Sequence, residues 1–496
     1  MLSRLTTLFL LLVTLAGTQS ARAAFPDSIA WSVSGEATVS GGAHSPFWLT
    51  SNTQGLMSVK PNNGYIRLGA TKAMSYDRRF SWGAGADIAV PWRGESPWIV
   101  QQLYGEVRYR CLGAMAGAKE MWGQYVDPRL SSGGLLYSGN ARPIPQVRIG
   151  IFNYADIWGT RGWLGVKGYI AYGAFTDSRW QRNWVMPGES YTSGVLYQGK
   201  GLWFRNGNAD KFPLVVEAGI EMATEFGGTI YNYHDLQDGK VKTIHMPHNL
   251  KAWLKAFLPT SGSSSELIDE QNNVEGNVVG AWQFCASWNP KADWKVKAYY
   301  EHYFEDHSML YIEYPWKDGL IGLEGTLPKN PFVSKIVYEY LHLKDQTGPV
   351  YWDSTDNIPD QVSAADGYYD HYLYNGWQTW GMNIGTPLVL SPIFNPEHSL
   401  TFRSSRVIAH HVGISGDPTP ELNWRMLLSF SRHWGTYLNI LPEVGHSFSG
   451  LIEATWRPAR FKGWEGSVAF AMDRGGFIGN STGAMIRISK SGIFGR

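Results

Sequence analysis

The sequence predicts an all-β chain, a transmembrane antiparallel outer-membrane β-barrel of roughly sixteen to twenty strands, its lumen filled by loops or a small helical plug. Three observations carry this prediction. An export signal is followed by no apolar run long enough for a membrane helix, alternation of period two recurs along the chain, and aromatic residues gather at the ends of the alternating runs.

Composition agrees. Of 496 residues 17% are charged, below the roughly 25% of ordinary soluble domains. Aromatics reach 14%, with 56 Gly, a turn-rich β economy rather than that of a coiled coil, a helical bundle or a disordered chain. Lys+Arg 43 against Asp+Glu 42 leaves a net charge of +1, so no global field draws in nucleic acid.

Met1 to Arg4 is a short cationic segment, Leu5 to Leu15 an apolar one, and Ala21-Arg22-Ala23 offers small residues where a signal peptidase reads. The expectation is a signal peptide over 1–23, cleaved after Ala23, and a single barrel domain over 24–496. No Cys precedes Cys111, which excludes a lipid anchor at the cleavage site. Cys111 and Cys285 either pair or stand as separate thiols.

The strands follow from alternation. Trp424, Met426, Leu428 and Phe430 oppose Arg425, Leu427, Ser429 and Ser431. Leu103, Val107 and Tyr109 oppose Tyr104, Glu106 and Arg108; Trp294, Val296 and Ala298 oppose Lys295, Lys297 and Tyr299. Such sets lie on opposite sheet faces. A soluble sandwich or propeller would place aromatics in mid-strand. Here Trp31, Trp82, Trp288, Trp294, Trp456 and Trp464 sit at run ends, as in membrane barrels, where amphipathic rings settle at the headgroups. Trp282, Phe284, Trp294, Val296, Trp424, Met426 and Phe470 are expected to face lipid. The clearest strands are 29–40, 63–74, 80–91, 101–112, 163–173, 195–205, 213–224, 279–290, 292–304, 319–326, 333–344, 400–414, 422–431, 447–457, 463–473 and 482–490. Two long stretches, 123–160 and 345–398, lack the pattern and read as loops.

Those stretches also carry a resemblance. Pro46-Phe47-Trp48-Leu49, Ser131-Ser132-Gly133-Gly134-Leu135 and Ser138-Gly139-Asn140-Ala141-Arg142-Pro143-Ile144-Pro145 are followed by Lys344-Asp345-Gln346-Thr347-Gly348-Pro349, Tyr374-Asn375-Gly376-Trp377 and His410-His411-Val412-Gly413. Together they resemble the capsule-assembly Wzi family of Bacteroidetes. The resemblance spans about residues 30 to 475 and implies a barrel of about eighteen strands that serves capsule attachment. Better-known members plug the periplasmic mouth with a helical bundle; no long helical period occurs here, so such a plug is either missing or made from loops. The expected partners are extracellular capsular or other surface polysaccharide and outer-membrane lipid, for a monomer without cofactor or nucleic acid.

Enzyme motifs are missing: no G-x-S-x-G, H-E-x-x-H, Walker or G-x-G-x-x-G pattern occurs in a fitting context. His410 and His411 are adjacent, so a strand sends them to opposite faces, where they cannot share a metal. His234, Asp235, His245 and His248 read as a solvated loop, and no metal site is expected. Glu301 and Glu305 mark no catalytic cleft.

Binding chemistry reads better, because sugars offer apolar CH faces to aromatic rings and hydroxyls to amide and carboxylate groups. The candidate glycan-binding residues are Trp352, Tyr368, Tyr369, Asn375, Trp377 and Trp380, with Trp377 and Trp380 expected to face one groove. The other reading of this loop is an inward fold that packs its own rings as a plug. Asn140, Arg142, Asp345 and Gln346 are loop or lumen motif residues, with Arg142 in a structural contact. A porin-like channel, or less so an outer-membrane lipid or glycan hydrolase, stands beside the binding protein as an alternative.

Overall fold

The computed structural model describes residues 28–235, 239–258, 276–291, 293–305, 316–346 and 367–494. Eighteen antiparallel strands form one sheet. In chain order they are β1 Ile29–Gly42, β2 Gly64–Lys72, β3 Phe80–Trp92, β4 Ile99–Tyr109, β5 Leu112–Ala118, β6 Gln146–Asp156, β7 Leu164–Ala174, β8 Leu196–Asn206, β9 Leu214–Phe226, β10 Asn277–Lys291, β11 Trp294–Glu305, β12 Gly319–Thr326, β13 Lys335–His342, β14 Val407–Thr419, β15 Leu422–Gly435, β16 Ile440–Trp456, β17 Trp464–Arg474 and β18 Ser481–Phe494. Each pairs with its chain neighbour. β18 closes the barrel on β1, in register from Ile29↔Phe494 to Gly42↔Ser481. Closure leaves no unpaired edge, which is what lets strands cross a bilayer.

Alternation decides which face is which. Leu103, Val107, Val296, Ile452, Val468 and Phe470 are exposed on the outer wall, while Tyr104, Glu106, Tyr299, Glu453, Ala469 and Ala471 are buried inside. All seven residues expected at lipid lie on the outer face: Trp294, Val296 and Phe470 exposed, Trp282, Phe284, Trp424 and Met426 half-buried. Val296 lies only two positions from Trp294, where its strand begins, so it belongs near the interface and not at mid-bilayer.

The two missed strands fall where the pattern is weak. β5 reads Leu-Gly-Ala-Met-Ala-Gly-Ala, with too few polar or large side chains to show two faces. β6 lies within the expected loop 123–160 and is broken by an irregularity between Ile151 and Ala155. The first loop therefore spans 119–145, the later one is described over 343–346 and 367–406, and β14 starts at Val407 instead of residue 400.

The two ends of the barrel differ. Turns at 110–111 and 420–421 share one end with Ile29 and Phe494, and the described residues that follow β1, β5, β7, β9 and β13 emerge at the other. Outer-membrane barrels keep short turns in the periplasm and long loops outside, which orients the chain. Trp31, Trp288, Trp294, Trp456 and Trp464 ring the short-turn end. At the long-loop end a helix, Leu250–Phe257, lies on the outer wall. Its Ala252 and Ala256 pack on Phe226 with Tyr172, Leu196 and Trp253 nearby, and Leu250, Leu254 and Leu258 point outward, exposed. Lys200 Nζ donates to its terminal carbonyls at Ala256 (3.2 Å) and Phe257 (2.8 Å), where the helix dipole favours a cation. Such a helix suits the membrane interface.

Loops 43–63, 119–145 and 175–195 and the described residues 367–406 turn into the lumen and form one apolar core with the inner wall, built on Trp48, Leu130, Leu135, Leu136, Tyr137, Trp377 and Leu388. Wall carboxylates hold its backbone. Glu301 Oε2 accepts from Leu135 N at 2.6 Å, Glu339 from Ser132 N (2.7 Å) and Ser131 Oγ (2.5 Å), Glu305 from Tyr369 N (2.5 Å), and Asp473 from Phe47 N (2.8 Å). Charge-assisted bonds of this kind are the strong ones, so Glu301 and Glu305 latch the plug. Glycine allows the closest approach: a Cβ at Gly413 of the wall would stand 2.1 Å from Leu130 O, and one at Gly385 2.1 Å from Leu135 O. His410 faces out and His411 in, the latter 2.8 Å from Leu130 O and 2.7 Å from Ser429 Oγ. Cys111 is exposed in a turn and Cys285 buried, both free.

Candidate functional site

Most of the expected platform lies inside the plug. Tyr368, Tyr369 and Trp377 are fully buried and Asn375 nearly so. Tyr369 stacks on Tyr303 at 4.5 Å and its hydroxyl donates to Leu135 O; Trp377 Nε1 donates to Leu136 O at 2.8 Å. These rings offer no face to a sugar, so for them the inward-packed reading describes the structure. Trp352 lies outside the described residues. Trp377 and Trp380 do not share a groove: Trp377 points into the core, and Trp380, with φ +54, points to the mouth.

At the mouth Trp380 joins a row that the sequence reading missed. A second helix, Ser178–Trp184, is fixed by Asp177, which accepts from Gln181 Nε2 at 3.1 Å, and by Gln181 Oε1, which accepts from Thr192 N at 2.9 Å. Trp180 and Trp184 fall one turn apart, on one helix face, and stack at 5.2 Å. Trp184 continues onto His398 (4.9 Å, 11° between planes) and Trp180 onto Trp380 (5.9 Å). Asp177 Oδ2 accepts from Trp380 N at 2.7 Å, and Trp180 Nε1 donates to Glu95 at 3.4 Å. Trp180 is buried, Trp380 and Trp184 are half-buried, and His398 is exposed, so the row rises from the plug to solvent. A second ledge stands beside it on a three-stranded sheet of Tyr191–Ser193, Thr229–His234 and Val241–His245: Tyr191 stacks on Tyr231 at 4.9 Å, and Tyr233 meets Tyr372 at 6.4 Å. His234 and His245 lie at opposite ends of the hairpin between the latter two strands.

The motif residues support this row. Arg142 places its guanidinium 4.0 Å from the Trp380 ring centroid and donates to Ser96 Oγ at 3.1 Å. Burial lowers its pKa to about 10, against the pull of Glu95 and Asp177, so it stays charged at neutral pH. Burial raises the Asp177 carboxyl above its usual value. Asn140 is a fully buried tie, accepting from Asn52 N at 3.2 Å and donating to Asn383 O at 2.9 Å. Gln346 is buried near Ser405, and Asp345 pairs with Lys317 at 3.5 Å; both lie away from the aromatic row. The i, i+4 spacing of Trp180 and Trp184 was the one signal in the sequence that could have found it.

Beneath the plug two cavities of about 330 and 250 Å³ share Glu120 and Trp122 and are otherwise lined by lumen residues such as Arg148, Lys167 and Trp203 in one and Arg67, Arg425 and Arg487 in the other.

A closed eighteen-stranded antiparallel barrel with a loop-built plug and long loops at one end defines the outer-membrane β-barrel class. Its fold is similar to that of Wzi of Escherichia coli, an outer-membrane protein involved in group 1 capsule assembly and a carbohydrate-binding β-barrel, at 12% identity, covering 92% of this chain and 83% of that one, with a TM-score of 0.57. The loop-motif resemblance therefore meets a solved barrel of that name. OccK5 (OpdH) of Pseudomonas aeruginosa aligns at 9% identity over 95% and 99% of the two chains (TM-score 0.48), and OprD of the same organism at 10% over 96% and 97% (TM-score 0.47). No protein-family model and no curated protein sequence matches the chain.

Proposed function

We propose that this chain is a non-catalytic outer-membrane barrel that holds surface polysaccharide at its extracellular mouth, in capsule assembly or attachment. The observation that carries the reading is the row of Trp380, Trp180, Trp184 and His398, set above a filled lumen and backed by Arg142. Ring faces bind sugar CH groups, and Ser96 and Asn183 nearby on the described surface supply hydroxyl partners. The likeness to a carbohydrate-binding barrel of capsule assembly points the same way. The signal peptide over 1–23 and a single barrel domain over 24–496 belong to this reading, as does life as a monomer among outer-membrane lipids. A strain lacking the gene, assayed for cell-bound against shed polysaccharide, tests it: shedding should rise, and unchanged retention would remove the role.

The cavities beneath the plug favour a second reading, a channel whose plug moves aside. Planar-bilayer recording separates the two, since a barrel that works filled passes no steady current.

A further inference from the structure

The outer wall carries a groove that the glycan reading does not use. It crosses β14 to β17 at the long-loop end, with a volume of about 410 Å³. Register sets its layout. His410, Phe430, Phe448 and Arg474 are paired in one line across four strands, and Ile408, Arg432 and His446 form the line above. Phe430 and Phe448 meet at 4.9 Å and make an apolar floor. Arg432 and Arg474 flank it, both exposed.

Neither arginine has a carboxylate within ion-pair distance among the described residues, and Arg474 feels only the neighbouring Asp473 carboxylate through space. Arg474 Nη1 donates only to neutral oxygens, Asp473 O at 2.7 Å, Ser481 O at 3.0 Å and Thr482 Oγ1 at 3.3 Å. The Arg432 guanidinium lies 5.4 Å from the Trp434 ring centroid and has no hydrogen-bond acceptor among the described residues. His446 is exposed beside it, and His410 Nδ1 is 2.9 Å from Tyr338 Oη. Lipid-facing arginines destabilise a barrel at mid-bilayer and are tolerated near the interface. These two stand near that height, Arg432 three residues from the long-loop end of β15 and Arg474 at the long-loop end of β17.

We infer that this groove binds a phosphorylated glycolipid of the outer leaflet. The guanidinium groups suit phosphate, which they grip through two parallel N–H donors. The phenyl floor takes the start of an acyl chain, and the histidines face the sugar. The inference needs the barrel to stand in an outer membrane but not that it binds polysaccharide.

The test uses the full-length protein in detergent, with native mass spectrometry reading bound bisphosphorylated lipid A. The wild type should keep this lipid, and R432Q/R474Q should weaken binding tenfold or more. R432K/R474K, which keeps the charge without the bidentate fork, should stay folded and fall between the wild type and R432Q/R474Q, and Arg460→Gln, at the opposite rim, should change nothing. Dephosphorylated lipid A should bind the wild type as poorly as the intact lipid binds the double variant. Equal affinity of R432Q/R474Q and wild type would overturn the site, leaving two arginines that merely reach for water. Full competition by equimolar inorganic phosphate would overturn the lipid as occupant. Polysaccharide retention measured on the same variants should stay at the wild-type level, so a failure here is distinct from a failure of the glycan reading.

Discussion

Replacing Trp377 and Trp380 in turn separates packing from binding within one loop. Trp377 is fully buried, its ring 5.9 Å from Tyr137, 6.4 Å from Phe175 and 6.4 Å from Tyr197. Trp377→Ala should cost about 3–5 kcal/mol for the ring, and about 1 kcal/mol more because Leu136 O loses its donor. Trp380 is half-buried under Arg142, so Trp380→Ala should cost only about 1–2 kcal/mol of stability, most of it the cation–π contact. It should also weaken glycan binding about tenfold, or about 1.4 kcal/mol. The assay pairs urea unfolding in detergent with polysaccharide binding on the same preparations. Trp377→Ala should unfold early and pass current through a loosened plug. A Trp377→Ala protein as stable and as closed as wild type would refute the plug's role in filling the lumen.

Other consequences follow from the same geometry. Glu339→Ala removes the acceptor for Ser131 and Ser132 and should lower stability by about 2–3 kcal/mol, with open-channel events in single-channel recording. Phe470→Arg, mid-strand and lipid-facing between Ile452 and Ala484, should cost about 2–4 kcal/mol, whereas Val296→Arg near the interface should cost about 0–1 kcal/mol; equal costs in urea unfolding would contradict the assigned depth. Asp177 has a raised folded pKa, so its contribution is fully present below its unfolded value and is lost as pH rises through the folded one. Asp177→Asn keeps an acceptor for Trp380 N–H and should flatten that slope in loop stability measured by limited proteolysis across acidic pH; an unchanged profile would show that Asp177 is not the titrating group.

Much of the fold was legible because a barrel wall writes its two faces into alternate residues. Trp424 to Ser431 and Trp294 to Tyr299 could be assigned to lipid or lumen from the sequence alone. β5 could not, since glycine and alanine leave both faces blank, and β6 was hidden by its irregular middle. The plug was harder for a different reason. Tyr368, Tyr369 and Trp377 look like sugar platforms in composition, but burial depends on which wall carboxylate catches which loop amide, and Glu305 reaching Tyr369 N joins residues 64 positions apart. The same holds for the mouth row, whose members at 142, 180, 184, 380 and 398 come from three separate loops. Only Trp380 and Arg142 were in view, in unrelated roles.

Direct binding of purified surface polysaccharide to the purified barrel tests the central claim. Saturable binding is expected, falling about tenfold for Trp380→Ala and for Trp184→Ala while the barrel stays folded and closed to ions. Binding that is absent, or that persists undiminished in the Trp184→Ala/Trp380→Ala double variant, would contradict a glycan site at the extracellular mouth.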